Sequence, residues 1–390
     1  MRRRLCYTET NNMTEVTTMD FNLSIPVRVL SGKGVLLNNT ARLSAFGKRC
    51  LIVTGGTGAV KSGALRDVKA ALASEKITYD VFNEVGPNPL LSACYKAGTL
   101  ARESGADFII GIGGGSALDA AKAAAVYAAN PDFAPTDIYT CERKPALPLV
   151  LIGTTAGTGS EVGKVSVLTN DATGRKKSIS GEDLYPALTF ADPTYTMSMP
   201  YAITVSTALD ALSHAMEGYC TPKCTDIPAL FGEKAVALIW EGLCQLLETK
   251  EIPDYAMREQ LYYGSLYAGI TLAYCGTAFP HPLGYVLTEG YGTPHGTACA
   301  VFLPAFLRRA LEYTPEKANR LLAAMGTDAD TFCKTVQALT DCDVKMTKEE
   351  IAAACTRWDA AVPNNFKQSP GGFTKEEAQA LIEALLAISC

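Results

Sequence analysis

Short apolar runs alternate with amphipathic segments along the first half of the chain. Runs of strand length occupy residues 49–54, 81–82, 107–112, 149–152 and 188–192, and segments with helical spacing occupy residues 61–74, 90–104 and 117–129. Buried strands separated by helices of about 10 to 15 residues are typical of a parallel sheet that is covered on both faces. The pattern therefore predicts an α/β, Rossmann-like domain in this half.

The pattern changes after residue 200. Apolar positions recur there at helical spacing over residues 204–219, 227–249, 257–273, 304–324, 331–339, 348–361 and 375–388, and no strand signal remains. We expect a leader without fixed structure at residues 1–18 and an α/β dinucleotide-binding domain at 19–198. An all-helical domain at 199–390 is expected to bind the metal and to contain the catalytic residues. Met19 could be the true start of the chain.

Charge and cysteine content exclude several classes of protein. The net charge is −5 and no basic tract follows the first four residues, so nucleic acid is not an expected partner. No apolar run reaches the ~20 residues that cross a bilayer, so no membrane is expected either. The 13 cysteines have no paired spacing. They predict free thiols in a reducing cytoplasm.

Three glycine- and threonine-rich loops follow predicted strands. The first contains Gly113, Gly114, Gly115 and Ser116, the second Thr154, Thr155 and Thr158, and the third Gly55, Gly56 and Thr57. Glycines at a strand–helix junction let the backbone approach a pyrophosphate at the helix N-terminus. The alternative for any one of them is a tight turn or a solvated loop that binds no ligand. Together, at the carboxyl ends of parallel strands, they favour a dinucleotide.

The choice between the two nicotinamide cofactors depends on the residue after the first of these strands. An acidic side chain there would bind the ribose diol and repel a 2′-phosphate. This chain has glycine at that point, which favours NADP(H) over NAD(H). The basic residues Arg175, Lys176 and Lys177 could neutralise cofactor phosphates, with Lys177 as the candidate, or could form a solvated hairpin tip.

The histidines suggest a metal site. The chain has only three: His214, His281 and His295. Asp210 lies four residues before His214 on a largely apolar helix, so both side chains share one buried face, and a buried carboxylate–imidazole pair is costly unless a cation compensates. His281 and His295 lie in segments rich in proline and glycine, which we interpret as turns. One carboxylate and three imidazoles suit Fe²⁺ or Zn²⁺, and Mn²⁺ or Co²⁺ less well.

Three further residues have less certain roles. Glu217 could orient an imidazole or could be a charge on the helix surface, and the pattern slightly favours the surface charge. Cys275 and Phe279 are candidates for the wall of a substrate pocket. No Lys or Arg lies near His281 or His295 in the sequence, which disfavours a phosphorylated substrate.

These motifs together resemble the iron-containing (group III) alcohol dehydrogenase family. The resemblance runs in order through residues 86–89, 111–122, 154–161, 209–219 and 281–296. It implies a dehydroquinate-synthase-like fold, iron held by Asp210, His214, His281 and His295, and NAD(P) in the first half. The cofactor residues it implies are Asn88, Gly113, Gly114, Gly115, Ser116, Thr154, Thr155 and Thr158, with Asp119 and Lys122 inside the same pattern.

The function implied is hydride transfer between a nicotinamide and a small primary alcohol or aldehyde in a homodimer or larger homo-oligomer. The alternatives are a polyol (glycerol-type) dehydrogenase, a dehydroquinate-synthase-like lyase, and, in a different class, a non-redox metal-binding protein. Many members of the family carry a further histidine four residues after the third ligand, where this chain has Tyr285. Proton transfer could therefore use Tyr285, a cofactor ribose hydroxyl or water.

Overall fold

A computed structural model describes residues 23–388 of the protein. The leader predicted for residues 1–18 and the start of the first domain at residue 19 lie outside the described residues. The strands are β1 (Arg28–Ser31), β2 (Arg49–Thr54), β3 (Thr78–Phe82), β4 (Phe108–Gly113), β5 (Leu149–Gly153), β6 (Val165–Thr169), β7 (Lys176–Ser180) and β8 (Leu188–Ala191).

Six of these strands form one parallel sheet in the order β1-β8-β5-β4-β2-β3. Strands β4 and β5 are wholly buried, because helices cover the sheet on both faces. These helices are α1 (Gly58–Lys61), α2 (Ala64–Ser74), α3 (Leu91–Ser104) and α4 (Gly115–Ala129). The prediction of a Rossmann-like parallel sheet is confirmed.

The second half is helical. Its helices are α5 (Tyr201–Cys220), α6 (Asp226–Thr249), α7 (Tyr255–Cys275), α8 (Pro280–Tyr291), α9 (His295–Ala300), α10 (Leu303–Tyr313), α11 (Pro315–Met325), α12 (Ala329–Thr340), α13 (Lys348–Cys355), α14 (Asn364–Gln368) and α15 (Lys375–Leu386). Helix α5 is central: it packs on α6, α7 and α9 and is buried around nearly its whole circumference. No helix within residues 23–388 has the length and apolarity to cross a membrane.

Three predicted elements differ from those observed. Residues 61–74 are split because Gly63 adopts a left-handed φ of +83°. Residues 304–324 form two helices, since Pro315 lacks the N–H that a continuing helix needs and instead begins α11. Helix α13 ends at Cys355, and a short 3₁₀ turn, Thr356–Trp358, follows. Strands β6 and β7, which form an antiparallel hairpin, were not predicted; only a hairpin tip at residues 175–177 was named, as one of two alternatives.

Glycines allow the two halves to approach closely behind the loop that follows β5. Gly159 has a φ of +59°, and a Cβ on it would overlap the backbone of Gly269 in α7. A Cβ on Gly157 would lie 2.8 Å from the Cβ of Thr207 in α5. The loop is therefore pressed directly against α7 and against α5, the helix that carries two of the predicted metal ligands.

Candidate metal centre and cofactor cleft

Three separate helices bring the four predicted metal ligands together. Helix α5 supplies Asp210 and His214, α8 supplies His281, and α9 supplies His295. The Oδ1 atom of Asp210 lies 3.7 Å from the Nε2 atom of His214 and 3.8 Å from the Nε2 atoms of the other two histidines. Three imidazole nitrogens thus converge on one carboxylate oxygen.

The polar atoms at this point are suited to a cation. Asp210 Oδ1 and His281 Nε2 are buried and have no hydrogen-bond partner. Buried polar atoms without partners are costly, and native proteins pair nearly all of them. A divalent ion bound between the four side chains would satisfy both atoms, so the donor set fits the metal that the sequence analysis predicts.

The protonation states favour the same interpretation. Burial lowers the pKa of His214 to about 4 and that of His295 to about 3. Burial alone would raise the pKa of Asp210, but the three imidazoles and Lys176 outweigh it and lower that pKa. At neutral pH the centre therefore contains a carboxylate and two neutral imidazoles, and such deprotonated donors are what a metal requires.

The nitrogens that face away from the centre have partners of their own. His214 Nδ1 lies 3.4 Å from the carbonyl oxygen of Gly157. His281 Nδ1 lies 2.7 Å from Glu217 Oε1, and Glu217 Oε2 accepts a hydrogen bond from the backbone N–H of Ala278 at 2.8 Å. Partners of this kind fix the tautomer and ring orientation of metal-binding histidines.

The expectation that Glu217 is a surface charge is wrong. Its side chain is wholly buried, because α8 covers the face of α5 that carries it. Beside this carboxylate the pKa of His281 is raised despite burial. The spacing of Asp210, His214 and Glu217, at i, i+4 and i+7, was the available signal, since such positions share one helix face.

His281 and His295 lie in the first turns of helices, so the interpretation of their segments as turns is wrong. Pro280 occupies the first position of α8, where the missing N–H is harmless, and Pro294 precedes α9. A Cβ on Gly296 would overlap the carbonyl oxygen of Ser206 and lie 2.8 Å from Asp210 Cβ. Glycine at this position lets α9 reach α5.

A tyrosine and a lysine lie beside the four side chains. The ring of Tyr285 stacks on that of His295, with centroids 5.5 Å apart and an angle of 18° between the planes. The Lys176 ammonium lies 5.1 Å from the centroid of the Tyr285 ring. Desolvation lowers the pKa of Lys176, and the negative charge of Asp210 opposes this effect. No Lys or Arg lies near His281 or His295 in the sequence, and Lys176 supplies a cation from a distant strand.

Lys177, which was predicted to neutralise cofactor phosphates, does not lie beside the metal centre. It is exposed, and its ammonium lies 4.6 Å from the centroid of the Tyr139 ring. Side chains alternate between the two faces of a strand, so only one of the two neighbouring lysines in β7 can face the centre. That residue is Lys176.

The three loops predicted to bind the cofactor lie at one edge of the sheet. They follow β2, β4 and β5, which are neighbours in the sheet, so Gly55, Gly56 and Thr57 come close to the loops at 113–116 and 154–158. A Cβ on Gly114 would lie 3.0 Å from the side chain of Thr155, and a Cβ on Gly115 would overlap that of Thr158. The backbone N–H of Asn88 donates to Ser116 Oγ at 3.2 Å.

The remaining candidates have roles inside the fold. Asp119 Oδ1 accepts from Ser160 Oγ at 2.7 Å and its Oδ2 from Val167 N at 2.8 Å, while Lys122 Nζ donates to the Ser160 carbonyl oxygen at 2.8 Å. These contacts fasten α4 to β6 and to the loop after β5. Phe279 stacks on Phe373 at 4.1 Å in the helical core, and buried Cys275 ends α7.

Comparison with protein families gives matches over most of the chain. Residues 26–193 match the iron-containing alcohol dehydrogenase model, and residues 204–386 match the model for the C-terminal part of that family. Lactaldehyde reductase of Escherichia coli K12 is 30% identical over 348 residues, which are 88% of this chain and 87% of that protein. Long-chain-alcohol dehydrogenase 1 of Geobacillus thermodenitrificans is 32% identical over 316 residues, 80% of this chain and 78% of that protein.

Solved structures show the same fold. An iron-containing alcohol dehydrogenase from Thermotoga maritima has a TM-score of 0.86 and 34% identity, covering 94% of this chain and 99% of that one. Sulfoacetaldehyde reductase from Bifidobacterium kashiwanohense, solved in complex with NAD⁺, has a TM-score of 0.84 and 27% identity, covering 94% and 99%.

Proposed function

The chain belongs to the iron-containing alcohol dehydrogenase family, and from this premise we propose how its cleft carries out hydride transfer between a nicotinamide cofactor and a small alcohol or aldehyde. In this proposal Asp210, His214, His281 and His295 hold one divalent ion. The convergence of three Nε2 atoms on Asp210 Oδ1 is the observation that carries it. When bound, such an ion acts as a Lewis acid that polarises a carbonyl and lowers the pKa of an alcohol.

The chain's own residues position the two reactants. The glycines at 113–115 and the N-terminus of α4 suit the pyrophosphate. The contact of His214 with the Gly157 carbonyl joins the second cofactor loop directly to a metal ligand. This link fixes the distance between cofactor and centre, and burial of the centre keeps water away from the transferred hydride.

Two observations support a substrate class: the names of the relatives and the lysine beside the metal centre. The names lactaldehyde reductase and long-chain-alcohol dehydrogenase favour a primary alcohol or its aldehyde. Lys176, beside Tyr285, adds a cation that an anionic or hydroxylated substrate would contact. We therefore propose small aldehydes with a polar group beside the carbonyl as the first compounds to test.

The experiment follows nicotinamide absorbance with a panel of short-chain alcohols, hydroxyaldehydes, glycerol and anionic aldehydes. Asp210→Ala and His281→Ala should abolish turnover but leave NADP(H) binding intact, because neither side chain lies in a cofactor loop. Asp330→Ala, which removes an exposed carboxylate from α12, should behave as wild type. Full activity of chelator-treated His281→Ala would overturn the metal centre, and no redox change with any compound would favour a non-redox protein.

We propose NADP(H) as the preferred cofactor and iron as the native metal of the family, with zinc as the alternative. The absence of a carboxylate at residues 55–57 supports NADP(H). Gly56 has a φ of +54° and nothing within 4 Å of the place where a Cβ would lie, so Gly56→Asp can add a negative charge with little strain, since aspartate tolerates this conformation better than most residues.

Gly56→Asp should raise KM for NADP⁺ by about tenfold relative to KM for NAD⁺, equivalent to ~1.4 kcal/mol. Gly56→Asn is the matched control, because it has the same shape and no charge, and it should leave the ratio unchanged. Steady-state kinetics with both cofactors measures the ratio. An equal effect of the two substitutions would argue against a 2′-phosphate at this loop.

We also propose a cytoplasmic homodimer or larger homo-oligomer. The free cysteines among the described residues favour a reducing compartment. Strand β1 lies at one edge of the sheet with Val29 exposed, and a bare edge favours pairing with a second copy. Light scattering coupled to size exclusion tests the oligomer, and a monomer at working concentration would overturn it.

A further inference from the structure

An acidic side chain of the helical half contacts the backbone of the hairpin that carries Lys176. The backbone N–H of Lys176 donates to Glu289 Oε1 of α8 at 3.2 Å. The other carboxylate oxygen of Glu289, Oε2, accepts from the guanidinium of Arg357, which belongs to the short 3₁₀ turn after α13. The side chains of Glu289 and Arg357 are only 15% and 16% exposed. One carboxylate therefore ties β7 to two elements of the other half.

The contact lies on the outer edge of the hairpin. Strand β6 is fastened to the first half, because the backbone N–H of Val167 donates to Asp119 Oδ2 at 2.8 Å. Strand β7 completes a two-stranded sheet, so alternate N–H groups along its outer edge face away from the ladder. The turn that leads into β7, residues 171–175, is exposed. Glu289 supplies a partner on this edge, at the residue whose side chain faces the centre.

The same helix also holds the ring beneath the ammonium. Lys176 Nζ lies 5.1 Å from the centroid of the Tyr285 ring, which stacks on that of His295. Glu289 follows Tyr285 by one turn on α8, so both contacts of Lys176 come from one face of this helix. Because Arg357 engages the Glu289 carboxylate, the Lys176 ammonium forms no ion pair within residues 23–388. It therefore remains free to donate to a bound molecule.

We propose that Glu289, fixed by Arg357, is a positioning residue that holds the Lys176 ammonium over the cleft, where it donates a hydrogen bond to an oxygen atom of a bound reactant. This inference rests on the proposed function, since a reactant must bind beside the metal centre. The oxygen belongs either to an anionic group beside the aldehyde carbonyl or to a hydroxyl group of the cofactor. Glu289 acts only through the backbone of Lys176.

Steady-state kinetics of the full-length, metal-loaded enzyme identifies the oxygen. The probes are glyoxylate and acetaldehyde, an anionic and an uncharged aldehyde of similar size, with the cofactor that the wild type uses. Lys176→Met should raise one KM by about tenfold, because a hydrogen bond from a charged donor is lost. A rise in KM for glyoxylate alone assigns the oxygen to the substrate. A rise in KM for the cofactor with both aldehydes assigns it to the cofactor.

Variants of Glu289 test the positioning role. Glu289→Ala should raise the same KM as Lys176→Met, by about three- to tenfold, with kcat little changed. The double variant should match Lys176→Met, because a residue that acts through the ammonium has no effect once the ammonium is gone. Glu289→Gln is a milder second variant. Its amide has one oxygen for two donors, so it should shift the same KM by a smaller factor.

Glu182→Ala is the matched control, because it removes an exposed carboxylate that pairs with Lys164 at the opposite end of the same hairpin. It should leave every KM unchanged. Unchanged KM values in both Glu289 variants, or additive effects in the double variant, would overturn the positioning role alone. Absence of redox turnover in the wild type would overturn the proposed function and this inference with it.

Discussion

The orientation of the His281 imidazole depends on the residue behind it. The Nδ1 atom of His281 is held by Glu217 at 2.7 Å, which directs the unpaired Nε2 towards Asp210. This carboxylate is the partner that an orienting role requires, and its complete burial makes its loss difficult to compensate.

Glu217→Gln should therefore weaken metal binding by about 10–100-fold while the fold is retained. Glutamine has nearly the same shape but lacks the negative charge that raises the pKa of His281. Competition with a chromophoric chelator measures the affinity. Glu248→Gln, on the exposed face of α6, is the control, and equal affinity in both variants would contradict the orienting role.

A role for Tyr285 in proton transfer would depend on its hydroxyl group. Burial raises its pKa well above the usual range, so the phenol keeps its proton at any working pH and can act as a donor. Tyr285→Phe preserves the stacking on His295 and removes the donor. If Tyr285 relays the proton, kcat should fall by about a hundredfold with KM little changed.

Steady-state kinetics over a range of pH measures this effect. Tyr285→His should restore turnover, since imidazole transfers protons more readily near neutral pH. Tyr291→Phe, which changes an exposed tyrosine at the end of the same helix, should have no effect. Wild-type kcat in Tyr285→Phe would instead favour water or a cofactor ribose hydroxyl.

Contacts between helices set the geometry of the metal centre. Helix α9 can place His295 beside Asp210 only because Gly296 packs against the backbone of α5. Gly296→Ala should push the two helices apart, at a cost of about 1–3 kcal/mol in unfolding free energy. Metal affinity should fall with it, because the Nε2 atom of His295 moves away from the other donors.

Denaturant unfolding and metal titration measure both effects. Gly290→Ala is the matched control in α8: its Cβ would have nothing within 4 Å, so it should be neutral or slightly stabilising. If Gly296→Ala matched this control in both measurements, the close approach of α9 to α5 would not determine the site.

For the whole molecule, the proposed ion would join three helices that are distant in sequence. Binding at 100 times the dissociation constant stabilises the folded state by about 2.7 kcal/mol. Chelation should therefore lower the Tm of the wild type, and added Zn²⁺ or Fe²⁺ should restore it in a concentration-dependent way. Calorimetry measures the shift. His281→Ala should show none, and a wild-type Tm that is independent of metal would contradict a centre shared by α5, α8 and α9.

Local patterns predicted most of the architecture. Strands β2, β4 and β5 are continuous apolar runs because both faces of the sheet are buried. Each strand can therefore be predicted from consecutive residues of its own segment. Helices α5, α6 and α7 were predicted to within three residues at each end for a similar reason. Short edge strands such as β1, with its exposed positions, carry no such signal.

The sequence by itself determined the sheet, the helical second half, the glycine-rich loops and the candidates for four metal ligands, because each depends on spacing within one segment or on a recognisable order of motifs. Tertiary structure alone decided that Glu217 is buried behind His281, that Lys176 and not Lys177 faces the centre, and that Glu289 contacts the backbone of Lys176. The physical reason is that these facts depend on which faces of α5, β7, α8 and α9 meet. That choice is made by packing between segments far apart in the chain, where a single glycine such as Gly284 or Gly296 sets how closely two helices approach.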